Sequence, residues 1–246
     1  VSSAETYSER YLGSIVAQCK TSAELRDRVA AARVVVGTTS SAMSHLPLLS
    51  MNRYSLCIID EASQILEPHL LPLLSLCCAD GTPCISRFVM IGDYKQLPAV
   101  VQQRSRESRV DDPSLNAIGL SDCRNSMFER LLARYRHNPD VCYMLTRQGR
   151  MHPDVAHFAV KSFYEDNLGP VPLPHQLSPL HFPVVDASCP LQQIMATRRT
   201  VFFPSSAPVD NLSPKTNVQE ARMIARTAQS VYRLYGQNRK PFIPHE

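Results

Sequence analysis

Lysine is scarce in this chain of 246 residues. Only Lys20, Lys95, Lys161, Lys215 and Lys240 occur, so 21 of the 26 basic residues are arginine. Arginine presents a planar fork suited to bidentate contact with phosphates, which points towards a nucleotide or nucleic-acid partner; high genomic GC content would give the same bias. No stretch approaches the ~20 continuous apolar residues needed to cross a bilayer, so no membrane partner is expected. The opening VSSAETYSERYLG has neither a basic region nor an apolar run and is not a signal peptide. It also lacks an initiator Met, which fits a chain cut from a longer protein. The eight cysteines form no CxxC pair, and no His lies at zinc-finger spacing from them. That pattern favours reduced thiols in an intracellular protein, cytoplasmic or nuclear, over a disulfide framework or a metal site. No internal repeat is visible.

What is present is ordinary for a globular protein: 44% hydrophobic and 20% charged residues, with length enough for one large domain or two modest ones. Ser2 with Glu5, and Thr21 with Glu24, are capping-box spacings that predict helices near 3–18 and 22–31. Three short apolar, β-branched runs follow at 33–37, 54–59 and 87–91. Each is continuous rather than alternating, as in strands buried on both faces of a parallel sheet. Between the second and third, residues 66–79 are apolar and long enough for a crossover helix. The alternation predicts an α/β fold with a parallel sheet.

Residues 102–124 are polar and charged and read as a surface loop or mobile insertion. A helix is expected at 126–135 and a strand at 141–146. Nine prolines fall between Gly169 and Pro214. Their density predicts an extended connection without long helices, broken by a short strand at 200–203. A closing helix is expected at 217–234.

Three segments carry chemistry. The run Leu56 to Ile59 ends abruptly in Asp60 and Glu61, at the carboxyl end of a strand, where ligands bind in open α/β sheets. One carboxylate can hold Mg²⁺ while the other orients and deprotonates an attacking water. Taken alone, such a pair is more often two solvated acids. The run at 88–91 enters a second turn at Gly92 and Asp93, followed by Gln96, whose amide could reach a terminal phosphate. After the third expected strand, Gln148, Gly149 and Arg150 offer an arginine able to neutralise charge on a transferring phosphoryl group. The order and spacing of the three segments argue against coincidence.

With these residues the chain resembles the superfamily-one helicases, in the branch of the up-frameshift RNA helicase and its DNA-replication and tRNA-splicing relatives. DEASQ at 60–64 is similar to that family's motif II and GDYKQLP at 92–98 to motif III. QGRMHP at 148–153 is similar to the element that opens the second motor lobe. GTTSSA at 37–42, SMFERL at 126–131, Phe163 with Tyr164, and Asn217 with Glu220 and Ala221 match weaker markers. The resemblance implies RecA-like (P-loop NTPase) lobes: a partial first lobe over 1–140, and the start of a second over 141–246 with a Pro-rich connection at 169–214. It implies ATP as substrate and Mg²⁺ on Asp60. Glu61 would be the general base, and Gln96 would sense the γ-phosphate. Arg150 would be an arginine finger across the lobe interface, and Gly92, Asp93 and Gln148 would bind nucleotide. Thr38 and Thr39 would contact the backbone of single-stranded RNA or DNA; a strand-ending turn is the alternative there. Movement would run 5′→3′.

Two departures stand out. No GxxxxGKS or GxxxxGKT loop occurs, so no lysine is available for the β/γ-phosphates and no hydroxyl for Mg²⁺. The family places that loop upstream of Thr38, and without it the stretch alone is expected to be inactive. Gly149 stands where the family has a tyrosine that packs on the base, which removes the ring and leaves Arg150 on a flexible residue. These departures define the rival reading: a degenerate, non-catalytic motor kept as a nucleic-acid-binding or protein-interaction scaffold.

Overall fold

The computed structural model describes residues 9–205 and 216–242, and the chain separates into two compact units, Val1–Tyr143 and Met144–Glu246. The fold is α/β, and each unit contains a small two-stranded parallel sheet.

In the first unit, β1 (Cys57–Ile59) pairs with β2 (Phe88–Met90) in parallel register, Cys57 opposite Phe88 and Ile59 opposite Met90. An isolated parallel bridge from Tyr54 to Ile85 extends the pairing upstream. The expected crossover is the helix Glu67–Leu74. Pro68 near its start supplies no amide that the first turn would leave unpaired, and Pro72 lies inside it. Beyond it the chain doubles back through a Cys77–Pro83 bridge before entering β2. Ile59, Ala62 and Leu70 form the buried centre, packed by Cys57, Ile65, Leu74, Phe88, Met90 and Phe128. Burial in this core raises the Cys57 thiol above its ordinary pKa.

Local signals placed several helices well. Thr21 caps Ser22–Ala30, its hydroxyl accepting from the Glu24 amide. Ser126 and Glu129 form a reciprocal capping box on Met127–Tyr135. Asn217 caps the 20-residue helix Val218–Gln237 by accepting from the Glu220 amide. Among the described residues the first helix is Leu12–Gln18; the Ser2 and Glu5 cap lies outside the described residues.

Other expectations are corrected. Residues 33–37 form no strand, and Val36 is 90% exposed. Residues 141–146 and 200–203 likewise form no strand, with Tyr143 83% exposed. A β-rich run becomes a strand only where a neighbour receives its backbone hydrogen bonds. The insertion at 102–124 is built rather than irregular throughout. It holds the short helices Ser105–Ser108 and Pro113–Ala117 and an Arg109–Asp122 bridge. The described part of the Pro-rich connection is not simply extended, since Pro174–Leu177 and Pro190–Thr197 are helical with proline at the first turn. Cys78 and Cys84 pair as a disulfide, against the expectation of reduced thiols throughout. Among the described residues no helix is long and apolar enough to cross a membrane.

Candidate functional site

The carboxylates stand where β1 ends. Ile59 is buried, and Asp60, the next residue, is exposed. Glu61 then adopts the left-handed conformation (φ 52°, ψ 36°) and turns the chain into a 3₁₀ turn over Ala62–Gln64. For a side chain with a Cβ this conformation costs about 1–2 kcal/mol, so the surrounding packing must enforce it. The two acids take different partners. Asp60 Oδ1 accepts from the Glu61 amide at 3.0 Å, and Glu61 Oε2 accepts from Gln64 Nε2 at 3.2 Å. One oxygen of each carboxylate has no hydrogen-bond partner among the described residues.

The GDYKQ turn after β2 is knitted to this bend. The Ile91 amide donates to the Ile59 carbonyl, and the Ala62 amide donates to the Ile91 carbonyl, both at 2.8 Å. The Asp93 amide donates to Ser63 Oγ at 3.1 Å. Gly92 is required here, because a Cβ on it would lie 2.8 Å from the Ser63 amide nitrogen and 3.2 Å from Ser63 Oγ. The Asp93 carboxylate is shared: Oδ1 accepts from the Lys95 amide and Oδ2 from Gln96 Nε2, each at 3.0 Å. Asp60, Glu61, Gly92, Asp93 and Gln96 therefore belong to one hydrogen-bonded platform at the carboxyl ends of two paired parallel strands. Ser63 escaped the sequence reading. Its signal was a small hydroxyl in DEASQ facing a glycine in the next motif.

A buried ion pair braces the platform. Glu67, 4% exposed, receives Arg130 Nε on Oε2 at 2.9 Å and Arg130 Nη2 on Oε1 at 2.5 Å. Arg130 Nη1 also donates to the Ile118 carbonyl at 3.1 Å. The pair ties the helix that follows DEASQ to the helix Met127–Tyr135 and the folded insertion.

Gln148, Gly149 and Arg150 lie in the second unit, where β3 (Arg147–Gln148) pairs in parallel with β4 (Gly169–Pro170). Gln148 wraps the turn after it. Its Oε1 accepts from the Arg150 amide at 3.0 Å and the Met151 amide at 2.8 Å, and its Nε2 donates to the Met151 carbonyl at 2.7 Å. His175 Nε2 lies 2.9 Å from the Gly149 carbonyl. Gln176 Nε2 donates to the carbonyls of Gln148 (2.9 Å) and Met151 (2.8 Å). The looseness expected of Gly149 is thus countered on both sides. Arg150 is exposed, and its guanidinium has no partner among the described residues. His175 and Gln176 sit within a proline-rich stretch that offered no local signal.

Thr38 caps the helix Thr39–Ser44, its hydroxyl accepting from the Ser41 amide at 3.2 Å; Thr38 is exposed and Thr39 half-buried. Among the described residues no three His, Cys, Asp or Glu side chains gather into a metal-binding group.

Residues 6–104 match an AAA domain, and residues 123–241 match a second AAA domain. The DNA replication ATP-dependent helicase/nuclease DNA2 of Xenopus laevis is 36% identical over 134 residues, which is 54% of this chain and 10% of that protein. The probable helicase MAGATAMA 3 of Arabidopsis thaliana is 35% identical over 139 residues, 56% of this chain and 14% of that protein. An uncharacterized ATP-dependent helicase of Methanocaldococcus jannaschii is 30% identical over 145 residues, 58% of this chain and 18% of its own length.

Proposed function

The chain belongs to the superfamily-one helicases of the DNA-replication and up-frameshift type, and we propose that it forms part of an ATP-driven motor that moves along or unwinds single-stranded RNA or DNA inside the cell. In this reading the two units are the later part of one RecA-like lobe and the first part of the next. The observation that carries the proposal is the platform itself: two carboxylates and an amide fixed together at the ends of β1 and β2, where open α/β sheets bind ligands.

Asp60 is the residue to hold Mg²⁺. This ion takes hard oxygen donors, keeps several waters, and is bound by one or two carboxylates with substrate phosphates rather than by an all-protein cage. A single exposed carboxylate with a spare oxygen fits that preference. When bound, Mg²⁺ neutralises charge on phosphate oxygens. Glu61, on a left-handed backbone next to Asp60, orients the attacking water and takes its proton. Gln96 meets the terminal phosphate, with Asp93 fixing its Nε2 so that a change at the amide is passed into the GDYKQ turn. Gly92 keeps that turn against DEASQ. Arg150, its backbone held by Gln148, offers a guanidinium to the transferring phosphoryl group. Thr38 and Thr39 present hydroxyls to a nucleic-acid backbone. Turnover also needs a phosphate-binding loop, which these 246 residues do not contain.

The test is Glu61→Gln in the full-length protein that carries this chain. Turnover should vanish while nucleotide binding survives, because glutamine keeps the shape and loses the base. Near-normal steady-state ATP hydrolysis would remove Glu61 from this role. Competition between matched RNA and DNA strands identifies the track.

A further inference from the structure

We infer that Gln176 is a positioning residue for Arg150, acting through the backbone of the turn that carries it; this rests on the reading of Arg150 given above. Gln176 is 2% exposed, and a buried amide is costly unless hydrogen-bonded. Both hydrogen bonds donated by its Nε2 go to the arginine turn. They reach the carbonyls of Gln148 and Met151, the residues that bracket Gly149 and Arg150. Its Oε1 accepts from the Leu173 amide at 3.4 Å, which locks the side chain to the start of its own short helix.

The turn needs such a clamp. Gln148 holds the amides of Arg150 and Met151, but its own side chain also depends on the Met151 carbonyl. The Met151 carbonyl takes both glutamines, so Gln148 and Gln176 act as one unit. Gly149 has no side chain to pack, and a Cβ there would stand 3.3 Å from Leu173 Cδ1. The stretch containing Leu173, His175 and Gln176 thus lies against Gly149 and holds the carbonyls on either side of Arg150. An arginine on a three-carbon stem with no partner of its own among the described residues inherits its aim from that backbone.

The experiment is a double-mutant cycle in the full-length protein, reading kcat and KM for nucleic-acid-stimulated ATP hydrolysis. Gln176→Leu removes the amide. Gln176→Glu keeps the shape and the acceptor but loses the two donors, and it serves where the leucine variant melts early. Each should lower kcat by about tenfold or more, within the ~100-fold that a small misplacement of a catalytic group can cost, with KM within about twofold. Combined with Arg150→Ala, neither should lower kcat further, since the aim of an absent side chain is irrelevant. Normal kcat in the Gln176 variants, or losses that multiply with that of Arg150→Ala, would overturn the inference and leave Arg150 in place. Normal kcat in Arg150→Ala would overturn the reading of Arg150 and the inference with it.

Discussion

Ser63 and Gly92 meet backbone to backbone: a methyl group on Gly92 would sit 2.8 Å from the Ser63 amide nitrogen, nearer than real Cβ contacts allow. Gly92→Ala should therefore push the GDYKQ turn off the DEASQ bend. Overpacking of this kind costs about 1–3 kcal/mol. Thermal melts should fall accordingly, and ATP turnover in the full-length protein should drop with them. Because the closest atom is backbone, adding Ser63→Ala should give no rescue; a double variant that recovers wild-type behaviour would contradict the contact.

The Glu67 and Arg130 pair should be worth far more intact than half-removed. Side-chain exposures of 6% and 13% put both charges mostly out of water. Glu67→Gln or Arg130→Met should each destabilise by about 3–5 kcal/mol, whereas joint replacement by well-packed apolar residues should recover much of the loss. Denaturant melts of the four proteins measure the cycle. Equal, additive losses would show that the two groups do not depend on each other.

Acid should loosen the folded insertion. Arg124 holds Asp122 through Nε (3.1 Å) and Nη2 (2.8 Å), and this hydrogen bonding keeps the Asp122 carboxyl well below the usual carboxylate range. A folded-state pKa depressed below the unfolded value of about 3.9 contributes stability that is present above that value and lost as pH falls below it. Melting temperature followed from pH 7 down to about 2 should fall less steeply in Asp122→Asn than in the parent. Parallel curves would mean that the pair carries none of the acid sensitivity.

The 246 residues expressed alone should show no nucleic-acid-stimulated ATP hydrolysis and only weak binding of Mg-ATP, since they contain no GxxxxGKS or GxxxxGKT loop to grip the phosphates. Calorimetric titration is the measurement. Micromolar affinity would show that the platform binds nucleotide unaided.

The parts of the fold legible in the sequence were those whose signals are local. Thr21, Ser126 and Asn217 start helices because a side-chain oxygen within three residues satisfies an exposed amide. The runs ending at Asp60 and Gly92 read as strands, and do pair. Val34 to Val36 and Val141 to Leu145 carry the same β-branched and apolar composition yet form no strand, since pairing depends on a remote neighbour that composition does not reveal. The acids, Gln96 and Arg150 were visible as residue types in order. What holds them was not. Ser63 meets Asp93 thirty residues away, Glu67 meets Arg130 across 63, and Gln176 reaches Gln148 across 28.

Among the described residues β1 pairs with β2 alone, and this has a practical corollary. A sheet of two strands has no interior strand, so each keeps one rim of amides and carbonyls turned outward, beside the exposed side chains of Ile58, Val89 and Ile91. Such rims are templates for further strands from any chain that presents one. A preparation of these residues by themselves should be concentration-sensitive, self-associating through its edges, and best handled dilute.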